Sequence, residues 1–112
     1  MSEKNKPEIW LIDLSGSRGH EQKGQRPAII WRDLDHIKMA IAIPLTTTDK
    51  CIKLPYTHLV STSLDNGLEQ DSVALVFQIT TIDKRRLIKR IGRLEEDSIE
   101  QISGLLRDMM HL

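Results

Sequence analysis

Short apolar runs separated by turn-forming residues recur along most of this 112-residue chain. The runs cover residues 9–14, 28–33, 39–45, 56–60 and 72–77. Apolar stretches of this length, rich in β-branched or aromatic residues, are typical of β-strands. Pro44 cannot donate a backbone hydrogen bond, so we expect the third strand to lie at a sheet edge or to be bulged there. Strand after strand with short connections predicts a small β-barrel or sandwich.

The end of the chain changes from strand periodicity to helical periodicity. Apolar residues recur at helical spacing, at Ile99, Ile102, Leu105, Leu106 and Met109. Asp97 and Ser98 supply N-capping groups at the start of this segment. We therefore predict a mainly β protein, a closed small barrel that carries a C-terminal amphipathic helix. At this length the whole chain, residues 1–112, is expected to form a single domain.

Charge and cysteine content narrow the class of protein. Sixteen acidic and sixteen basic residues cancel, so no overall field attracts a polyanion, and nucleic-acid binding must depend on a local patch. Residues 84–93 contain six cations, which form either a solvated face or such a patch. The single cysteine, Cys51, allows no intrachain disulfide and favours a reducing compartment. The polar first eight residues and the lack of a long apolar segment predict a cytoplasmic protein without a membrane span.

The segment 19–27, Gly-His-Glu-Gln-Lys-Gly-Gln-Arg-Pro, concentrates hydrogen-bonding and titratable groups between the first two predicted strands. Loops that rigid strands anchor in this way commonly carry binding and catalysis. The imidazole of His20 suits proton transfer near neutral pH, and the planar guanidinium of Arg26 matches phosphate oxygens. Residues 46–48 are three threonines that follow the third strand. Without a metal-ligand pattern, this set favours metal-independent chemistry on a phosphate, although a loop of this kind is more often only solvated.

Five stretches of the chain match a known family in order and spacing. They are residues 9–14, 19–27, 43–46, 71–75 and 78–87, and the apolar C-terminal helix follows them. On these stretches the chain resembles the MazF/PemK family of toxin endoribonucleases, from toxin–antitoxin pairs. The resemblance implies an SH3-like barrel, a homodimer, and cleavage of single-stranded RNA without metal or other cofactor, leaving a 2′,3′-cyclic phosphate and a 5′-hydroxyl. It also implies a MazE-like antitoxin that blocks the RNA groove.

The resemblance also implies roles for individual residues. Arg26, before the proline, and Thr46, at the end of the third strand, correspond to the catalytic pair. His20 is a third catalytic candidate; other members of the family have serine at this position, and His20 could instead only hydrogen-bond within its loop. The residues implied to contact RNA are Glu21, Gln22, Thr47 and Gln78. Glu21 could alternatively pair with a cation of the loop.

Two positions depart from the family pattern. Phe77 stands where many members carry an acidic residue, and Thr80 stands where relatives often have arginine, so both departures bear on the cleavage preference. A different class of function is a non-catalytic toxin of the same barrel superfamily, such as the gyrase-poisoning CcdB toxins, which bind a protein. Arg26, Thr46 and His20 favour the nuclease, because a toxin that only binds a protein has no need of them.

The other candidate residues have structural interpretations. Trp10 and Trp31 lie in apolar strands and are predicted to be core residues, which leaves few aromatic side chains for base stacking. RNA recognition should therefore depend on hydrogen bonds to base edges. Cys51 is predicted to be a packing residue, since no adjacent base would activate it. The histidines predicted to lie on the surface are His36, His58 and His111.

Overall fold

The computed structural model describes residues 6–13 and 24–112, which form seven strands, four 3₁₀ turns and one helix. The strands are β1 (Glu8–Asp13), β2 (Gln25–Leu34), β3 (Met39–Thr46), β4 (Thr57–Val60), β5 (Ser72–Leu75), β6 (Thr80–Asp83) and β7 (Leu87–Arg93), and the helix is α1 (Glu96–Met110). The 3₁₀ turns cover Asp35–Ile37, Asp49–Lys53, Val76–Gln78 and Lys84–Arg86. The mainly β class with a C-terminal helix, predicted from the sequence, is confirmed.

All strand pairs of the sheet are antiparallel, and the order is β4-β5-β3-β2-β1-β7, with β6 also paired to β3. Strands β4 and β7 form its two ends. Among the described residues no ladder joins these ends, so the sheet is barrel-like without the hydrogen-bonded closure that the sequence predicted. A bulge between Ile30 and Arg32 interrupts the longest strand, β2, and increases its local twist.

Pro44 lies in the centre of the sheet, not at its edge, so the edge-strand prediction for β3 is wrong. On one side β3 pairs with β2, where Pro44 stands opposite Ala28. On the other side β3 pairs first with β6, over residues 39–42, and then with β5, at Leu45 and Thr46. Pro44 falls in the gap between these two ladders, so it interrupts no pairing on that side.

The strand predicted over residues 72–77 ends at Leu75, and the chain continues as the 3₁₀ turn Val76–Gln78. The turn keeps Val76 buried and leaves Phe77 40% exposed. Strands β6 and β7 were not predicted, because β6 is short and mostly polar and β7 carries charge in place of an apolar run. Strand β7 is an end strand, where exposed charged side chains are tolerated and discourage pairing with another sheet.

Two groups of buried side chains stabilise the sheet, in keeping with the alternation of strand residues between the two faces. The first group contains Ile9, Ile29, Ile43 and Leu45 from the strands and Ile102 from α1, among others. The second group contains Ile12, Ala28, Ile30, Ala40 and Ala42. Trp31 packs against the first group and Trp10 against the second, and both rings are half-buried, as members of the core periphery.

Helix α1 packs its predicted apolar face on the first group, where Ile99, Leu105 and Leu106 surround the fully buried Ile102. The predicted N-cap is wrong: Glu95 occupies the N-cap position, without a side-chain capping bond. Ser98 lies inside the first turn, where it is buried and its hydroxyl hydrogen-bonds to a side chain of β4. In the described part of the chain, no helix combines the length and the apolar character needed to cross a membrane.

Candidate active site

Arg26 and Thr46 lie on two neighbouring strands, at the same end of the sheet. Strands β2 and β3 pair with Ala28 opposite Pro44 and Ile29 opposite Ile43. The β2–β3 ladder ends at Ala28 and Pro44, and the same register extended by two residues would set Arg26 opposite Thr46. Directly opposed residues of an antiparallel pair have Cβ atoms about 4.5–5.5 Å apart, so both side chains can act on one bound group. The sequence predicted Arg26 in a loop, whereas it lies inside β2, on a more rigid support.

Buried apolar residues hold this pair from both sides. Ile12 of β1 stands opposite Arg26, and Val73 of β5 stands opposite Thr46. Both neighbours are less than 5% exposed, whereas Arg26 is exposed and Thr46 is half-buried. Within residues 6–13 and 24–112, no hydrogen bond or ion pair engages the Arg26 guanidinium. None of these residues therefore occupies its donors, and phosphate oxygens match their planar fork.

Hydrogen bonds within the threonine segment orient the Thr46 hydroxyl. Its Oγ1 donates to Oγ1 of Thr48 at 3.3 Å and accepts from the Thr48 backbone N–H at 3.3 Å. Both bonds are long for their type, so a bound oxygen can replace them at small cost. Thr47 is exposed between these two residues and faces a groove on the other side of the sheet end.

Gln78 lies farther along the same sheet. It is exposed on the turn Val76–Gln78, between the β5 ladder that includes Thr46 and the β6 ladder that begins at Ala42. The described structure therefore brings Arg26, Thr46 and Thr47 to one end of the sheet and places Gln78 beside the middle of β3. The predicted site residues His20, Glu21 and Gln22 lie outside the described residues.

The predicted surface position of His58 is wrong, whereas His36 and His111 are exposed as predicted. His58 is half-buried on β4, and its Nε2 hydrogen-bonds Oγ of Ser98 on α1 at 2.9 Å. Burial lowers the pKa of His58 below its usual value, and the carboxylate of Asp97 opposes this effect in part. His58 therefore attaches the helix to the sheet, on the face away from Arg26 and Thr46.

Ion pairs neutralise much of the basic segment 84–93. The pairs are Lys84 with Asp33 and Asp35, Arg85 with Asp83, and Arg90 with Glu8, at 2.9–3.0 Å. Hydrogen bonds from the Arg85 side chain and backbone hold the pKa of the Asp83 carboxyl down to about 2. The segment is thus not a uniform cationic surface. In the described ranges, no group of three or more His, Cys, Asp or Glu side chains is arranged to hold a metal ion.

Sequence reasoning missed a groove of about 470 Å³ at the same end of the sheet. We call it the rim groove; its lining includes Leu11, Pro27, Thr47, Glu69, Gln70 and Lys89. The segment Asp65-Asn66-Gly67 was recognisable as a turn. No pattern in the sequence, however, indicates that this turn stands next to β7 and to the end of β3. The spatial order of the strands alone brings these residues together.

The structure is a small, barrel-like antiparallel sheet, and at one end of it neighbouring strands present an exposed arginine and a threonine, side chains that can hydrogen-bond a phosphate group. Residues 5–110 match the sequence model of the PemK-like, MazF-like toxins of type II toxin–antitoxin systems. The chain belongs to this family, and the resemblance stated from the sequence is confirmed.

Individual relatives agree with this assignment. The chain is 35% identical over 103 residues to Endoribonuclease EndoA of Bacillus subtilis (strain 168), covering 89% of this chain and 88% of EndoA. The crystal structure of MazF (form I) from Deinococcus radiodurans superposes with a TM-score of 0.75 at 20% identity, covering 96% of each chain. An endoribonuclease from mycobacterial species, in complex with its cognate antitoxin, gives a TM-score of 0.70 at 19% identity, covering 96% of this chain and 95% of the other. These structures support the SH3-like barrel of the family as the fold.

Proposed function

We propose that this protein is the toxin of a type II toxin–antitoxin system and acts as a metal-independent endoribonuclease on single-stranded RNA. The observation that carries the proposal is the exposed Arg26 near the start of β2, beside Thr46 at the end of the neighbouring strand β3. Membership of the toxin family and the activity in the name of the EndoA relative support it. A toxin that only binds a protein would not need an arginine and a hydroxyl presented together for a phosphate.

The proposed reaction is attack of a ribose 2′-hydroxyl on its own 3′-phosphate. The O2′–P bond forms and the P–O5′ bond breaks, which gives a 2′,3′-cyclic phosphate and a 5′-hydroxyl. One proton leaves O2′ and one is delivered to O5′. Arg26 binds the non-bridging oxygens and stabilises the negative charge of the phosphorane, and the Thr46 hydroxyl donates to the same group. We assign a proton-transfer role to His20, and RNA contacts to Glu21, Gln22, Thr47 and Gln78.

The proposal includes partners. Solved relatives include a MazE–MazF structure from Deinococcus radiodurans, at 21% identity, and the mycobacterial endoribonuclease with its cognate antitoxin. We propose a MazE-like antitoxin that covers the Arg26 surface, and a cytoplasmic homodimer in which two sites share one RNA-binding groove. A two-fold axis would double the small footprint that one sheet end offers to RNA.

The substitution Arg26→Ala tests the active site. Loss of a charge contact to the phosphorane should reduce cleavage of single-stranded RNA by about 10²-fold or more. Cleavage is measured in the presence of EDTA on an RNA pool of randomised sequence, and the product ends are identified as cyclic phosphates.

Arg32→Ala is the matched control, because Arg32 is an exposed arginine of the same strand near its other end. Unchanged turnover of the Arg26→Ala protein would place the active site elsewhere. An RNA pool left intact by the wild-type protein would contradict the proposed activity and favour the protein-binding alternative, whereas cleavage abolished by EDTA would contradict its metal independence.

A further inference from the structure

The rim groove lies beside the proposed catalytic pair, on the other face of the same sheet end. Pro27 and Thr47, which line it, are the chain neighbours of Arg26 and Thr46. Successive strand residues point to opposite faces, so the pair and the groove open on two sides of one edge. An extended polynucleotide that crosses this edge can place its phosphate at Arg26 and the next nucleotide in the groove. The volume of about 470 Å³ lies within the range of about 300–1,000 Å³ typical of small-ligand pockets.

The wall of the groove is held by one fully buried side chain, Asn66. Its Oδ1 accepts from the backbone N–H groups of Ser63, at 3.1 Å, and of Leu68, at 3.0 Å. Its Nδ2 donates to the carbonyl of Ser61 at 2.8 Å and to the carboxylate of Glu95 at 3.2 Å. These bonds fix the segment that leads into the lining residues 67–70, so the groove is formed before any ligand arrives, which lowers the cost of binding.

Close backbone packing fixes the same wall against β7. A Cβ atom at Gly92 would lie 2.4 Å from the Asp65 carbonyl oxygen, so only glycine allows this approach. The next residue, Arg93, donates its backbone N–H to the same oxygen at 2.9 Å. The turn therefore has a defined position relative to Lys89, which stands on β7 across the groove.

The charges of the groove suit one nucleotide of a single RNA strand. Lys89 is exposed, and within the described chain no hydrogen bond or ion pair engages its ammonium, in contrast to its paired neighbours Lys84, Arg85 and Arg90. A free ammonium can bind a phosphate. Glu69 would repel a phosphate, but its carboxylate accepts from the amino group of a base.

Gln70 adds a side chain that can read a base. Like Glu69, it is exposed and lines the groove, and its amide both donates and accepts hydrogen bonds. Leu11 and Pro27 offer an apolar surface beneath a base. The set combines one contact for the backbone of the strand with two for a base edge, which is how sequence preference arises on single strands.

We propose that the rim groove is a nucleotide subsite, which receives the nucleotide next to the cleaved phosphodiester. Lys89 contacts the phosphate of that nucleotide, and Glu69 and Gln70 read its base. The subsite rests on the proposed ribonuclease activity and sets part of its sequence preference.

Cleavage-site sequencing on a randomised single-stranded RNA pool tests the base contacts. Glu69→Gln replaces an acceptor by a group that also donates, and Gln70→Ala removes both functions. Each substitution should change the base frequencies at one position beside the cut. All three groove side chains are exposed, so the variants should fold as the wild type does.

Binding of the same pool, measured in the Arg26→Ala background to prevent cleavage, tests the phosphate contact. Lys89→Gln should weaken binding equally for all sequences and reduce the slope of log K against log salt by about 1. Lys38→Gln is the matched control, since Lys38 is an exposed lysine at the turn between β2 and β3, at the opposite end of these strands.

The outcomes separate the two proposals. A wild-type protein that leaves the RNA pool intact contradicts the ribonuclease activity, while the binding comparison still decides the subsite. An unchanged base profile for both Glu69→Gln and Gln70→Ala, or a salt slope for Lys89→Gln equal to that of Lys38→Gln, would overturn the subsite even if the wild-type protein cleaves RNA.

Discussion

Asn66 illustrates how a single buried polar side chain determines the shape of this molecule. It is fully buried, yet each polar atom of its side chain has at least one partner. A buried polar group of this kind is favourable only while its bonds remain complete. Its partners come from the chain segment around it and from Glu95, 29 residues away, which also accepts from the Ser63 hydroxyl. The residue therefore joins the turn to the start of α1.

We expect Asn66→Ala to lower the free energy of unfolding by about 2–3 kcal/mol, because it leaves buried donors and acceptors unpaired. Urea denaturation at neutral pH measures this change. In comparison, Asn66→Asp keeps the oxygen that accepts from Ser63 and Leu68 but brings a second carboxylate close to Glu95. It should therefore become less destabilising as the pH is lowered. A loss below about 0.5 kcal/mol for the alanine variant, the usual size for a surface change, would show that the bonds are dispensable.

The sequence proposes single residues of the candidate site where a family motif carries them, as for Arg26 and Thr46, and their roles stay predictions. Their mutual position was not predictable, since it depends on the register of β2 on β3. That register follows from which apolar side chains are buried together, because a shift by one residue would turn every side chain to the other face. Asn66 shows the same limit: the sequence indicates a turn former, whereas its burial depends on Gly92 and Glu95.

Helix α1 depends on its polar attachment to β4 as well as on apolar packing. The hydrogen bond between His58 and Ser98 has one titratable partner, and burial lowers the pKa of that histidine. At a pH near or below 6.5, His58 therefore binds a proton more readily in the unfolded chain than in the folded one. The stability that neutral His58 contributes is fully present above about pH 6.5 and is lost as the pH falls through its lowered folded pKa.

We expect the wild-type protein to lose more stability between about pH 7.5 and 5.5 than a His58→Gln variant. Glutamine can keep a hydrogen bond to Ser98 but does not titrate. Urea denaturation across this range measures the difference, and His36→Gln serves as control because His36 is exposed. Equal pH dependence of the wild-type and His58→Gln proteins would mean that the half-buried histidine does not couple protonation to folding.

At the level of elements, apolar strands and the helix were predictable, and charged strands were not. β1, β2, β3 and β5 each bury residues that the apolar runs mark. β7 carries cations on an end strand, so its sequence shows no apolar run. Its pairing with β1, on which Ile9 and Ile12 are buried, is visible only in the structure. Pro44 predicted either a sheet edge or a bulge in β3. The edge is wrong for a related reason, because β3 is paired on both sides and its partner changes at this residue.

At the scale of the whole molecule, several of the charges that cancel in the net charge also form ion pairs with one another. Lys84 bonds to Asp33, which is 51 residues away in the sequence, so the sequence alone cannot show that this cation is neutralised. The predicted basic patch at residues 84–93 is thereby reduced, and Arg26 and Lys89 remain exposed and unpaired within the described chain. In the proposed ribonuclease, Arg26 and Lys89 would supply the local patch that RNA binding requires.

The position of Arg26 and Thr46 predicts whether each chain of a dimer carries its own site or two chains share one. Arg26 and Thr46 belong to neighbouring strands of one chain, so each chain carries a complete pair. A mixture of Arg26→Ala and Thr46→Ala proteins, unfolded together and refolded to exchange subunits, should therefore cleave RNA no faster than either variant alone. Cleavage of the randomised RNA pool measures this, and native mass spectrometry establishes that mixed dimers are present. Recovery of cleavage on mixing would show that Arg26 of one subunit acts with Thr46 of the other, and would contradict a site contained in a single chain.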